Sequence, residues 1–336
     1  MEKQTLNSSA EKLLLIERDD ADYTPVSAIP DEYLHLLMRY AGAYFYRDED
    51  CDMICQHIKL REFSIWGHDI FARNYIILHP FTPRHILALH YMHEDTIDAV
   101  IDHMGPFRLR EKQVNLFSLH ADFHTAALDR GKNIFSFHIN VVPEALPALA
   151  EKFPVLKHLA SHQLDTLNGP VNAAPYQINA VCSQILFDIF NCRYVELQAE
   201  CLLYRCCVDL YQNFALQDAQ FRQPAAPMAA YLHAQLQQLF EYIKPNISER
   251  FTPQDLALKF NMPETDMLAG FERLFAISLT DYILQQRMMK AYGLLLKSRA
   301  SLGSIARRTG YPNRVALSRA FQAYYEYDPI AIRNAQ

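Results

Sequence analysis

Between residues 56 and 142 apolar and polar positions alternate in short runs, HIKLREFSIW, NYIILHPFTP, HILALHYMHE, QVNLFSL and NIFSFHINVV, separated by turn signals. Alternation with a period of two sends successive side chains to opposite faces of a strand, and several short strands at this spacing predict a sandwich or small barrel. DRGK (129–132), with glycine between two such runs, reads as a hairpin turn. From Pro143 to Phe214 apolar residues recur at steps of three and four, as in NAVCSQILFDIF and VELQAECLLYRCCVDLYQNF, which predicts helices. The second of these carries Leu197, Cys201, Leu202, Val208 and Tyr211 around most of its circumference, so it must be covered by a core or by a second chain.

LQDAQFRQPAAPMAA (216–230) has two prolines and no apolar periodicity and is read as a linker, which divides the chain into 1–215, 216–230 and 231–336. Everything after it has helical spacing. AAYLHAQLQQLFEYI puts Leu232, Leu236, Leu239, Phe240 and Ile243 on one face. TPQDLALKF opens with Thr252 as N-cap and Pro253 at the first helical position. A turn at NMPE leads to TDMLAGFERLF, and the longer TDYILQQRMMKAYGLLLKS aligns Ile283, Arg287, Ala291, Leu294 and Leu295. SLGSIARRT, the turn GYPN and NRVALSRAFQAYY complete the series. In the last segment Leu317, Ala320, Phe321 and Tyr324 share the packing face, while Val315, Ser318, Arg319 and Gln322 lie opposite, with Asn313, Arg314 and Ala316 at the first turn. Two short helices around a glycine turn, the second with a basic outer face, follow the helix-turn-helix plan. The plan occurs twice, joined by one long helix.

Half of the 336 residues are hydrophobic, which excludes a disordered chain, and the length suits two or three domains. No apolar run approaches the roughly 18 residues of a membrane span. The start, MEKQTLNSSAEKLLLIERDD, lacks a signal-peptide pattern, so a cytoplasmic protein without membrane contact is expected. Seven cysteines are an odd number for a disulfide framework; Cys51 and Cys55 are a candidate redox or metal pair, but buried reduced thiols are the expectation throughout. The net charge of −6 hides a division: residues 1–228 hold 19 basic and 29 acidic side chains (−10), residues 229–336 hold 13 and 9 (+4). A modest positive excess confined to the helical third suits a nucleic-acid-facing module.

Residues 231–333 resemble the DNA-binding domain of AraC/XylS-type bacterial transcription regulators. The resemblance is carried by Ile305, Ala306, Gly310, Tyr311, Leu317, Ser318, Arg319, Ala320, Phe321, Pro329 and Arg333, and by Arg287, Ala291, Leu294 and Leu295 in the long helix. It implies two helix-turn-helix units reading adjacent major-groove segments of double-stranded DNA. Asn313, Arg314, Val315, Ala316, Ser318, Arg319 and Gln322 of the second unit, and Thr265, Leu268, Ala269 and Arg273 of the first, are its implied contacts. Two departures stand out. Where the family has glycine after each core phenylalanine, this chain has Ala276 and Glu326. The first recognition helix also carries Glu264, Asp266 and Glu272 with Arg273 as its sole basic residue, so it should discriminate bases less than Arg314 and Arg319 do.

The β-rich part resembles the cupin-like sensors of the same family, and the helices after it resemble a siderophore-responsive subgroup. The fold class expected is α+β: an N-terminal cupin-like β-barrel with helices, then an all-α domain of two helix-turn-helix units joined by a long helix. His85, His90, His93, His103, His120, His124 and His138 raise the question of a metal. In HYMHE, His90 and His93 point to opposite sides of a regular strand, and in HADFH, His120 and His124 fall in a loop. Scattered structural or surface histidines are therefore expected, with no metal and no cofactor. Phe63, Trp66, Phe71 and Tyr75 are core or barrel-lining candidates. The chain has no G-x-S-x-G elbow, P-loop or G-x-G-x-x-G, so no enzyme is expected. The function expected is an effector-responsive, sequence-specific transcription activator, with RNA polymerase and a homodimeric second copy among its partners. The alternatives are a cupin-type metalloenzyme fused to a DNA-binding domain, and a constitutive DNA-binding protein whose first domain only dimerises.

Overall fold

The alternating runs form two antiparallel sheets in the computed structural model, which describes residues 15–18, 28–82, 84–101, 105–120, 124–160, 164, 167–222 and 227–335. The strands are β1 (Leu15–Arg18), β2 (Gly42–Arg47), β3 (Cys51–Leu60), β4 (Phe63–Ala72), β5 (Ile76–Phe81), β6 (Ile86–Glu94), β7 (Ile97–Ile101), β8 (Gly105–Leu109), β9 (Gln113–Leu119), β10 (Thr125–Leu128) and β11 (Asn133–Val141). One sheet has the order β1-β5-β10-β7-β8. The other runs β9-β6-β11-β4-β3-β2, with Gly169–Pro170 and Tyr176–Gln177 pairing on β9. The expected barrel does not close, because no ladder joins the two sheets among the described strands. Instead they stack, with Met53 and Ile70 of one sheet in a common cluster with Leu78, Ile97 and Leu128 of the other. Alternation specifies which side chains face inward; it leaves the pairing of distant strands open.

DRGK shows the difference. The turn forms, with the Lys132 amide donating to the Asp129 carbonyl and Gly131 at φ 79°. It is not a hairpin, however: β10 pairs with β5 and β7, and β11 with β4 and β6, so the turn carries the chain from one sheet to the other. The outer side of β3 is covered by residues 30–38. Gln56 there accepts from the Met38 amide at 2.6 Å and donates to the Leu36 carbonyl at 3.0 Å. Asp52 accepts from Tyr33 Oη at 2.7 Å and pairs with Arg47 and Arg73, each at 2.9 Å. Phe63 and Trp66 are buried as expected, whereas Tyr75 is exposed. The helices α1 (Leu146–Lys152) and α2 (Lys157–Ala160) follow β11.

The described chain groups into two compact units, residues up to Ile178 with Asp188–Arg193, and Asn179–Phe187 with Tyr194 onward. The second contains α3 (Ala180–Phe190) in part, α4 (Glu196–Phe221), α5 (Ala230–Ile243), α6 (Pro253–Lys259), α7 (Glu264–Phe275), α8 (Leu279–Lys297), α9 (Leu302–Arg308), α10 (Arg314–Tyr325) and α11 (Pro329–Asn334). Two features differ from the sequence reading. Residues 216–221, read as linker, continue α4, where Asp218 is buried and bound by Arg222 at 3.0 Å. α4 belongs to the C-terminal unit, where it packs against α7, α10 and α11. The seven cysteines are all buried and reduced.

Candidate nucleic-acid interface

Each helix-turn-helix is built by local signals. Thr252 caps α6 by accepting from the Asp255 amide at 3.1 Å, Ser301 caps α9 through the Ser304 amide at 3.3 Å, and Asn313 caps α10 through the Ala316 amide at 2.9 Å. Such caps satisfy amides that the first turn leaves without partners. Between α9 and α10 the chain turns at Gly310, φ 77°. A Cβ there would lie 2.9 Å from both Arg287 Nη2 and the Ile247 carbonyl, so only glycine fits. Arg287 occupies this junction from α8. It donates to the Glu249 carbonyl at 2.9 Å and lies over the Tyr311 ring, so one side chain of the connecting helix touches the approaches to both units.

In α10, Leu317, Phe321, Tyr324 and Tyr325 are buried, leaving Arg314, Val315, Arg319 and Gln322 exposed, with Ala316 and Ser318 half-buried between them. The seven residues expected to contact DNA in this unit thus lie along the first turn and outer stripe of one helix. Asn313 already spends its side-chain oxygen on the cap. In α7, Met267, Gly270, Phe271 and Phe275 face inward, while Thr265, Ala269 and Arg273 are exposed and Leu268 is half-buried. Asp266 and Glu272 are exposed on the same helix, so its acidic character faces solvent. A Cβ on Gly270 would meet Leu236 at 2.8 Å, which sets how closely α7 approaches α5. Arg307 and Arg308, exposed at the end of α9, add positive charge that the sequence reading did not single out.

Both recognition helices end in left-handed residues, Ala276 at φ 50° and Glu326 at φ 68°. At these two positions, where the resemblance implies glycine, a side chain is held at positive φ with its strain. At the first end Asn213 of α4 donates to the carbonyls of Phe275 and Ala276, at 2.8 and 3.0 Å. At the second unit Asp209 of α4 accepts from Tyr324 Oη at 2.5 Å and from Gln285 of α8 at 3.1 Å. Its other oxygen meets Arg205 at 2.6 Å, and the Arg205 guanidinium lies 3.9 Å from the Tyr324 ring centroid. Arg205, Asp209 and Asn213 recur every four residues, a polar stripe on an otherwise apolar helix; that spacing was the available sequence signal for this brace.

The first unit contains a cavity of about 110 Å³ between its sheets, lined from one side by Leu78, Ile97 and Phe107 and from the other by Ala88, His90 and Phe117. A row of cross-strand partners passes beneath it in the order His57, Trp66, His138, His90 and Asn115. His90 and His138, expected to be scattered, converge there with His68 from beside the row. The His90 and His138 rings are 4.8 Å apart, His138 and His68 are 5.2 Å apart, and His68 Nδ1 lies 3.3 Å from Cys55 Sγ. Burial pushes His90 down to about 4; burial and neighbouring His90 push His68 down to about 3, and His138 lies well below the usual imidazole range for the same reasons. His85 and His120 stack elsewhere at 4.1 Å, with His120 against the Leu167 carbonyl, whereas His124 lines the cavity. The side chains of His93 and Glu94, and all of His103, lie outside the described residues. His68 was missed because it follows the apolar phase of its strand, where it resembles any core position.

The geometry of the second unit defines a double helix-turn-helix nucleic-acid-binding module. Residues 256–335 match the family described as Helix-turn-helix domain. The chain is similar to the Msm operon regulatory protein of Streptococcus mutans, 25% identical over 131 residues, which are 39% of this chain and 45% of that protein. The matched stretch thus spans less than half of that relative. Among solved structures it is similar to the DNA-binding domain of AdpA in complex with a target DNA, at 26% identity over 30% of this chain and 90% of that one, TM-score 0.29. It is also similar to ToxT from Vibrio cholerae, at 11% identity over 81% of this chain and 98% of that one, TM-score 0.33. Residues 256–335 are an AraC-type helix-turn-helix domain.

Proposed function

We propose that the protein is a sequence-specific DNA-binding transcription regulator whose β-rich part, the 1–215 region of the sequence reading, governs the C-terminal module in response to a small effector. The observation that carries this is the outer stripe of α10. Arg314, Val315, Arg319 and Gln322 are exposed on a helix positioned by the Gly310 turn and the Asn313 cap, inside the stretch that matches the family. Arg319, Arg314 and Ser318 make the principal base-edge or phosphate contacts, and α7 docks with less discrimination because Asp266 and Glu272 repel phosphates. The cavity in the first unit favours an effector over a unit that only dimerises. The resemblance to AraC/XylS regulators supports a non-enzymatic bacterial activator in the cytoplasm, acting on double-stranded DNA with RNA polymerase as its protein partner and a second copy as its dimer mate.

The test is selection of duplexes from a randomised library with the purified full chain, followed by affinity measurements with Arg319→Ala at two salt concentrations. A bidentate guanidinium contact predicts a loss of about 1–3 kcal/mol and relaxed preference at one base position. A loss that is uniform over all sequences assigns Arg319 to phosphate; no enriched motif, or no loss, refutes the reading.

A further inference from the structure

We propose that the cavity between the two sheets binds a compact uncharged molecule of about one ring, bearing a single hydroxyl that engages the His90–Ser136–His138 hydrogen-bond chain. This rests on the effector reading above and specifies the chemical class of that effector.

Size comes first. A cavity of about 110 Å³ is somewhat smaller than the roughly 150 Å³ apolar cavity that accepts benzene, which matches it to about one small ring. Charge is next. Among the described residues, no lysine, arginine, aspartate or glutamate lines the cavity. The imidazoles of His90 and His138 are buried and carry no charge at neutral pH. An anion would be desolvated against apolar walls without a counter-charge, and a cation would fare no better. The described lining therefore suits a neutral occupant better than a carboxylate or phosphate.

Polarity is set by the proton count. His90 Nε2 lies 3.0 Å from Ser136 Oγ, and Ser136 Oγ lies 3.3 Å from His138 Nε2. The serine has one proton and two lone pairs, so at most one imidazole accepts from Oγ and at least one donates to it. His90 Nδ1 is buried with no hydrogen-bond partner among the described residues. It accepts when His90 Nε2 donates to Ser136, and it donates when the chain runs the other way. A hydroxyl satisfies either arrangement, because it both donates and accepts. An aliphatic ring of the same size leaves the buried nitrogen unmatched.

The experiment uses the full-length protein with phenol, toluene and benzoate as probes near neutral pH, read by calorimetric titration and by thermal unfolding. Phenol should bind with one-to-one stoichiometry and raise the unfolding temperature, toluene about tenfold more weakly, and benzoate not at all. Ala126→Phe, which fills the cavity, should abolish phenol binding, and the milder Ser136→Ala should reduce phenol to the level of toluene. Equal binding of phenol and benzoate, indifference to both substitutions, or no phenol binding overturns the assigned ligand class. Affinity for the selected duplex is then measured with and without phenol. Binding of phenol without any change in DNA affinity upholds the ligand class and overturns the effector role.

Discussion

Replacing Asp209 by alanine isolates the brace that α4 places on the second helix-turn-helix. Asp209 Oδ1 pairs with Arg205 at 2.6 Å, and Oδ2 receives Tyr324 Oη and Gln285 Nε2. The side chains of Arg205 and Asp209 are only 14% and 9% exposed. Truncation leaves a guanidinium buried without its carboxylate and a buried phenol without its acceptor. Breaking one partner of such a pair costs about 3–5 kcal/mol, whereas replacing both by apolar residues of similar volume is often close to neutral. Asp209→Ala should therefore lower the urea midpoint of the helical unit strongly, while Arg205→Met combined with Asp209→Leu should recover most of the loss. Far-UV circular dichroism follows the helices, and the fluorescence of the single tryptophan, Trp66 on β4, reports the first unit separately. Because Tyr324 belongs to α10 and Gln285 to α8, affinity for the selected duplex should fall with the same substitution. A cost below about 1 kcal/mol, or a double variant as damaged as the single one, would refute the assignment of an uncompensated buried charge.

Ala276→Gly and Glu326→Gly should each stabilise the helical unit by about 0.5–1 kcal/mol, since both residues hold a positive φ that glycine adopts without a Cβ penalty; unchanged or lower chemical-denaturation midpoints would contradict the strain. The first unit should lose stability on acidification. Folded His90 and His68 titrate at about 4 and about 3, below the usual value near 6.5. As pH falls below about 6.5 the unfolded chain gains protons that the folded one refuses, so the contribution is full above that pH and declines towards the folded values. Asp52 does not confuse this window: despite burial, its bonds to Arg47, Tyr33 and Arg73 hold it down to about 2. Equal urea midpoints by Trp66 fluorescence at about pH 7.5 and about pH 5 would contradict the neutral histidine cluster.

The helix-turn-helix units were legible because their determinants are local. Leu317, Phe321 and Tyr324 repeat with the helical period, Gly310 marks the turn, and Asn313 and Thr252 sit where amides need caps; all act within a few residues of each other. The strands of the first unit were legible only in part: HIKLREFSIW holds the end of β3, a turn and the start of β4, and β1 and β2 precede the alternating runs. What alternation could not supply was pairing between distant strands. Strand pairing brings His68, His90 and His138 together from β4, β6 and β11, sends DRGK between two sheets and leaves the expected barrel open. Residue spacing likewise predicted that α4 needed covering without naming the cover. Burial against the C-terminal helices, with Asp209 and Asn213 meeting the ends of both recognition helices, depends on contacts 60 or more residues apart in the chain. Periodicity is a property of one segment, whereas register, closure and the destination of an apolar face are decided only when segments compete for the same core.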